Sequence, residues 1–117
     1  MKSKKSVVKS EKQVAKKREP LKIGRFLDIG TCHVTPADVK LLSSDDRGVI
    51  TYPYEFGFWI WIPSEKEDSE ALLKDLEHLG YSENFQKIFV AAMKAKCRYI
   101  MLDQDGEDYE QFEECEW

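Results

Sequence analysis

Tyr52-Pro53-Tyr54-Glu55-Phe56-Gly57-Phe58-Trp59-Ile60-Trp61-Ile62-Pro63 gathers two Tyr, two Phe, two Trp and two Ile about a single glycine, with a proline near each end. Aromatic and β-branched residues at this density suit a pleated surface buried on at least one face, so the run predicts the central strand of a small sheet. Strand alternation puts Trp59 and Trp61 on one face and Phe58, Ile60 and Ile62 on the other. Upstream, Gly48 to Tyr52 predicts a partner strand, and Pro53-Tyr54-Glu55 is short enough to close a hairpin.

The flanks complete an α+β pattern. Phe26 to Val34 predicts the first strand. Thr35 then stands as an N-cap before Pro36 at the first helical position, with Val39 and Leu42 turned inward, until the polar turn Ser43 to Gly48. Leu72, Leu73, Leu76 and Leu79 recur at helical spacing up to Gly80, and Ser82 opens a second run with Phe85, Ile88, Phe89, Ala92 and Met93 on its apolar side. Arg98 to Asp103 predicts another strand, Asp105-Gly106 the turn after it, and Glu107 to Trp117 a further edge strand. The expected order is β-α-β-β-α(α)-β(-β): a sheet of about four to five strands with two to three helices packed on one face, an order shared with ferredoxin-like folds.

Length and charge set the organisation. The chain of 117 residues is 42% hydrophobic, enough for one core. Residues 23–117 are expected to form a single α+β domain behind a disordered basic tail, residues 1–22, too poor in apolar side chains to offset chain entropy. Met1 to Arg25 holds ten Lys/Arg against two Glu, a balance of +8, whereas Phe26 to Trp117 holds eight against twenty Asp/Glu, a balance of −12. Cys32, Cys97 and Cys115 are odd in number and far apart, which argues against a disulfide framework. No apolar stretch approaches the roughly 18–20 residues of a membrane span. A cytoplasmic protein without membrane contact is the expectation.

Three segments share an order with a known pattern: Ile29-Gly30-Thr31-Cys32-His33-Val34-Thr35, then Tyr54-Glu55-Phe56-Gly57-Phe58-Trp59-Ile60-Trp61-Ile62-Pro63, then Cys97-Arg98-Tyr99-Ile100-Met101-Leu102-Asp103-Gln104-Asp105-Gly106. Together they resemble a family of small bacterial proteins of unknown function carried on plasmids, phages and other mobile elements. That family shows a Thr-x-His step, a Tyr-x-aromatic-Gly-aromatic strand and a Cys-x-aromatic-x-x-x-Asp-x-Asp-Gly ending. The resemblance spans roughly Ile29 to Gly106, departs from the pattern at Cys32 and in the long basic N-terminus, and implies a compact α+β domain in a mobile-element setting. It transfers no catalytic residue.

Candidate sites follow from residue chemistry. Cys32 and His33 have the types of a nucleophile and base, but neighbours on a strand point to opposite faces, so a buried thiol is the plainer reading of Cys32. His33 could instead meet Asp103 if the outer strands are neighbours. Asp103-Gln104-Asp105-Gly106-Glu107-Asp108 offers four carboxylates, but its glycine is fourth rather than sixth, which rules out a calcium loop of the EF-hand kind. A looser magnesium or manganese site of His33, Asp103 and Asp105 is the enzymatic alternative, against a solvated turn. His78 in a last helical turn needs only the helix dipole. No paired zinc spacing, phosphate loop or nucleophile elbow occurs, and no cofactor is expected.

The preferred reading is a non-enzymatic interaction or regulatory protein of a mobile element. Trp59 and Trp61 would form an aromatic face, and Asp103, Asp105 and Asp108 belong to an acidic end of eight carboxylates without a cation. A protein partner is expected, and a second copy of the chain could occupy the same face. The second alternative is non-specific nucleic-acid contact through Lys2, Lys4, Lys5, Lys9, Lys12, Lys16, Lys17 and Arg18, which lack interleaved aromatics.

Overall fold

The computed structural model describes residues 20–117. The expected disordered tail, and with it the eight basic residues offered for nucleic-acid contact, lies outside the described residues up to Glu19. Pro20 to Arg25 carry no regular structure.

The elements are β1 (Phe26–Gly30), a 3-10 turn (Thr31–His33), α1 (Pro36–Leu42), β2 (Thr51–Tyr54), β3 (Gly57–Trp61), α2 (Lys66–Leu79), α3 (Glu83–Lys94) and β4 (Tyr99–Asp103). The sheet runs β1-β4-β3-β2, with β1 parallel to β4 and the other pairs antiparallel. This is the expected small α+β fold.

Register explains the layering. Leu27, Ile100, Ile60 and Thr51 lie side by side on one face, as do Ile29, Leu102 and Phe58. Ile29, Ile60, Ile100 and Leu102 are buried there against Leu76, Phe85, Ile88, Phe89 and Ala92 of α2 and α3. Transferring this apolar surface from water is the main favourable term in folding. Tyr81 stacks on Phe85 at 4.5 Å and donates its hydroxyl to the Arg47 carbonyl at 2.5 Å, tying the α2–α3 junction to the loop before β2.

Helix ends follow the sequence signals. Thr35 and Asp38 form a reciprocal capping box on α1, Ser82 accepts the Phe85 N–H at the start of α3, and Gly80 ends α2 at φ 98°. Asp38 does more than cap. Fully buried, it also accepts the Ser82 N–H at 2.8 Å and the Ser82 hydroxyl, so one carboxylate holds the N-termini of both α1 and α3.

Three local expectations are corrected. The first strand stops at Gly30, because Thr31, Cys32 and His33 close a 3-10 turn with the Val34 N–H on the Thr31 carbonyl at 3.1 Å. The hairpin turn moves to Glu55 and Phe56, because β2 is an edge strand that tolerates Pro53 without its N–H. Glu107 to Trp117 adds no fifth strand. It crosses the end of β1 as a strap, held by Gly30 N–H to the Glu107 carbonyl at 2.9 Å and Cys115 N–H to the Cys32 carbonyl at 2.7 Å. Gly106 permits that crossing, since a Cβ there would sit 2.5 Å from the Ile29 backbone.

Among the described residues no helix is long and apolar enough to cross a membrane.

Candidate functional site

The 3-10 turn changes what Cys32 and His33 can do. Adjacent residues that would diverge on a strand converge here, and Cys32, His33 and Asp108 bring one ligand-type atom each within 4.8 Å of one another. Asp103 and Asp105 stand outside that group. Asp103 accepts the Tyr54 hydroxyl on one oxygen and the Asp105 N–H, at 2.7 Å, on the other.

The Cys32–His33–Asp108 group has the composition of a catalytic triad or a metal site, but its hydrogen bonds are already committed. His33 is 1% exposed. Its Nε2 accepts the Tyr109 N–H at 3.0 Å, which fixes Nδ1 as the protonated nitrogen donating to the Glu113 carbonyl at 2.9 Å. Both nitrogens thus serve the strap, leaving no lone pair for an ion. Phe112 packs edge-on against the imidazole at 5.8 Å. The Cys32 thiol donates to Asp108 at 3.1 Å. Burial, and then that bond and the negative charge of Asp108, push its pKa up to about 11, so the nucleophilic thiolate is scarce at neutral pH. The cluster is a clamp on the C-terminal strap. Asn84 reinforces it by donating to the His33 and Glu113 carbonyls at 3.3 and 3.1 Å.

The opposite sheet face carries rows of aromatic side chains. Phe26, Tyr99 and Trp61 share one row across the strands, and Asp28, Met101, Trp59 and Tyr52 share the next. Trp61 borders α2, through Lys66, Ser69 and Leu72, whereas the buried apolar residues of α2 and α3 pack on the other face, against Ile60 and Ile100. Phe26 is 50% exposed and Tyr52 53%, while Trp59 and Trp61 are half-buried among their neighbours. The rings interlock edge to face, Phe26 on Trp59 at 5.0 Å and Trp59 on Tyr99 at 5.9 Å, and Phe56, 42% exposed, continues the patch at the hairpin tip. Such pairs hold the rings rigid, and rigid aromatics lose little entropy on binding.

Two carboxylates sit on this face. Asp28 has one oxygen shielded from solvent with no hydrogen-bond partner. Asp103 closes the same face, its pKa lowered by the Tyr54 hydroxyl and then by the Asp105 N–H. Tyr54 in turn is pushed up to about 12, by burial first and then by its bond to Asp103. Sequence alternation identified Trp59 and Trp61, but not Asp28 or Tyr99, whose membership depends on the β1–β4 and β3–β4 registers.

Residues 26–117 match the model of a family described as "Family of unknown function (DUF5983) C-terminal domain". Neither the curated proteins nor the solved structures give a match to the chain.

Proposed function

We propose that this chain, which belongs to the DUF5983 family of unknown function, is a non-enzymatic recognition protein that docks a protein partner on its open aromatic sheet face. The single observation that carries the reading is the ring patch itself: Phe26 and Tyr52 are 50% and 53% exposed beside the interlocked Trp59 and Tyr99, on the sheet face opposite the buried Ile60 and Ile100. Asp28, in the same row as Trp59, keeps one oxygen closed to solvent and without a donor, and its negative charge favours a partner's Arg or Lys at the patch. Asp103 adds a second acceptor on the same face. Aromatic anchors ringing a charge are the composition of interface hot spots, where truncating one ring typically costs about 2 kcal/mol or more. A phosphate backbone laid on this face would meet Asp28 and Asp103 as like charges, which disfavours the nucleic-acid alternative for this surface. The mobile-element setting implied by the motif resemblance is consistent with a partner supplied by the host or by the element itself.

The test is capture of a partner from the native host, repeated with Asp28→Ala and Trp59→Ala. The expected outcome is a partner retained by the wild type at low salt and lost by both variants, each still folded by circular dichroism. Retention by both variants overturns the proposal. So does a wild-type homodimer in sedimentation that Trp59→Ala converts to monomer, because the occupant would then be a second copy.

A further inference from the structure

At the end of the sheet where β1 and β4 begin and β3 finishes, a cavity of about 500 Å³ is lined by Lys66, Lys96 and Arg98, with Trp61, Met93 and Ser64 among its other walls. No carboxylate lines it. That is unexpected in a body whose acids outnumber its bases twenty to eight. Among the described residues none of the three cations has a carboxylate within 4.0 Å, the one such pair there being Lys87 with Glu83. Asp68, in the first turn of α2, lines a separate cleft instead.

Two backbone features point the same way. The N-terminus of α2 opens beside the cavity without a side-chain cap from Glu65, so among the described residues its first-turn N–H groups are uncapped, while Glu67 and Asp68 already answer part of the helix dipole. Lys96 is the only non-glycine at positive φ among the described residues, at 62°. It follows α3 as the left-handed residue of a Schellman motif, its N–H on the Met93 carbonyl at 3.0 Å and the Cys97 N–H on the Ala92 carbonyl at 2.9 Å, and this helix end sets Lys96 on the cavity wall. Trp61 and Met93 supply an apolar wall beside the charges, and the volume lies in the range of small-molecule sites.

We propose that this cavity binds an organic phosphate of mononucleotide size, its phosphate held by Lys66, Lys96 and Arg98 and its planar portion laid against Trp61 and Met93. The site shares Trp61 with the aromatic face but not Asp28, and it does not depend on the docking reading.

Titration of the full chain with AMP, inorganic phosphate and adenosine, followed calorimetrically, tests the assignment. AMP is expected to bind at least tenfold more tightly than either fragment. Lys96→Gly is the decisive variant, because it relieves the left-handed strain while removing one cation: its melting temperature should equal or exceed that of the wild type, with AMP affinity down at least tenfold. Arg98→Ala should weaken AMP similarly. Phosphate binding as tightly as AMP, AMP binding that survives both substitutions, or no AMP binding at all would each overturn the proposal. A trinucleotide bearing a 5′-phosphate separates the sources of this chemistry: competition with AMP assigns the site to a strand end, and failure to compete assigns it to a free nucleotide.

Discussion

Replacing His33 by alanine should release the C-terminal strap while leaving the sheet folded. Truncation strands the Tyr109 N–H, which the imidazole accepts at 3.0 Å, takes one of two donors from the Glu113 carbonyl, which keeps Asn84 at 3.1 Å, and removes the ring on which Phe112 packs. A polar group left without a partner costs roughly 1–3 kcal/mol, and the lost bond to Glu113 adds about 1 kcal/mol, so the two together cost about 2–4 kcal/mol before any cavity term. The loss is capped, because a strap that detaches lets both groups find water; the cost cannot exceed the free energy of that local opening. A drop of about 2–4 kcal/mol is therefore expected, with hydrogen exchange accelerated through residues 107–117 and unchanged in Ile100 and Leu102 of the central strand. The conservative variants divide the effect. Glutamine can reach toward Tyr109 and asparagine toward Glu113, so each should recover part of the stability. Alanine leaving both exchange and stability unchanged would refute the clamp and return His33 to the list of residues free for chemistry.

Iodoacetamide should modify Cys32 slowly: with its pKa raised to about 11 by burial and by Asp108, the thiolate fraction at pH 8 is about 0.1%, roughly 200-fold below that of an unperturbed thiol. Asp108→Asn should speed the reaction severalfold, and mass-spectrometric rates that match between the two proteins would contradict the assigned cause. Tyr54→Phe should raise the Asp103 pKa toward the ordinary carboxylate value, read by carboxyl carbon NMR. The lowered Asp103 pKa contributes stability in full above about pH 4, lost as pH falls through the folded value, while the Tyr54 contribution is complete below about pH 10 and lost as pH rises toward about 12. In the phenylalanine variant both dependences should flatten. Gly106→Ala should cost about 3 kcal/mol or more in urea unfolding, since the added Cβ meets Ile29 backbone that cannot turn aside.

The strands and helices were legible wherever burial wrote a period into the chain. Trp59-Ile60-Trp61 announces two unlike faces, and Leu72, Leu76 and Leu79 announce one helical stripe. What could not be read was held by hydrogen bonds without period. Cys32 and His33 looked like strand residues because Phe26 to Val34 has strand composition; only the Val34 N–H returning to Thr31 turns them into a clamp. The strap looked like a strand because Tyr109, Phe112 and Trp117 are spaced among acids, yet its anchors are His33, the Cys32 carbonyl and the Val34 carbonyl that accepts the Trp117 indole N–H at 3.1 Å. Asp38 carried a cap signal for α1, but nothing local connects it to Ser82, 44 residues on.

The division of charge that the sequence shows between tail and body recurs within the body along the strand direction. β1 and β4 run parallel, so both begin at the end where Arg98 and Lys96 lie and both finish at Gly30 and Asp103, where the turn and strap bring Asp105, Glu107 and Asp108. Arg25, whose carbonyl accepts the Arg98 N–H at 2.7 Å, joins the basic end to the start of the domain. An antiparallel β1–β4 pairing would have mixed these ends and cancelled the separation. The parallel pairing keeps a cation-lined cavity and an acid-rimmed strap at opposite ends of one aromatic face, so a partner docked there as proposed would be oriented by charge as well as held by rings. That orientation has a measurable consequence: raising salt should slow association with the partner far more than it speeds dissociation, because screening acts on the encounter while the aromatic contacts, once formed, exclude water and ions alike.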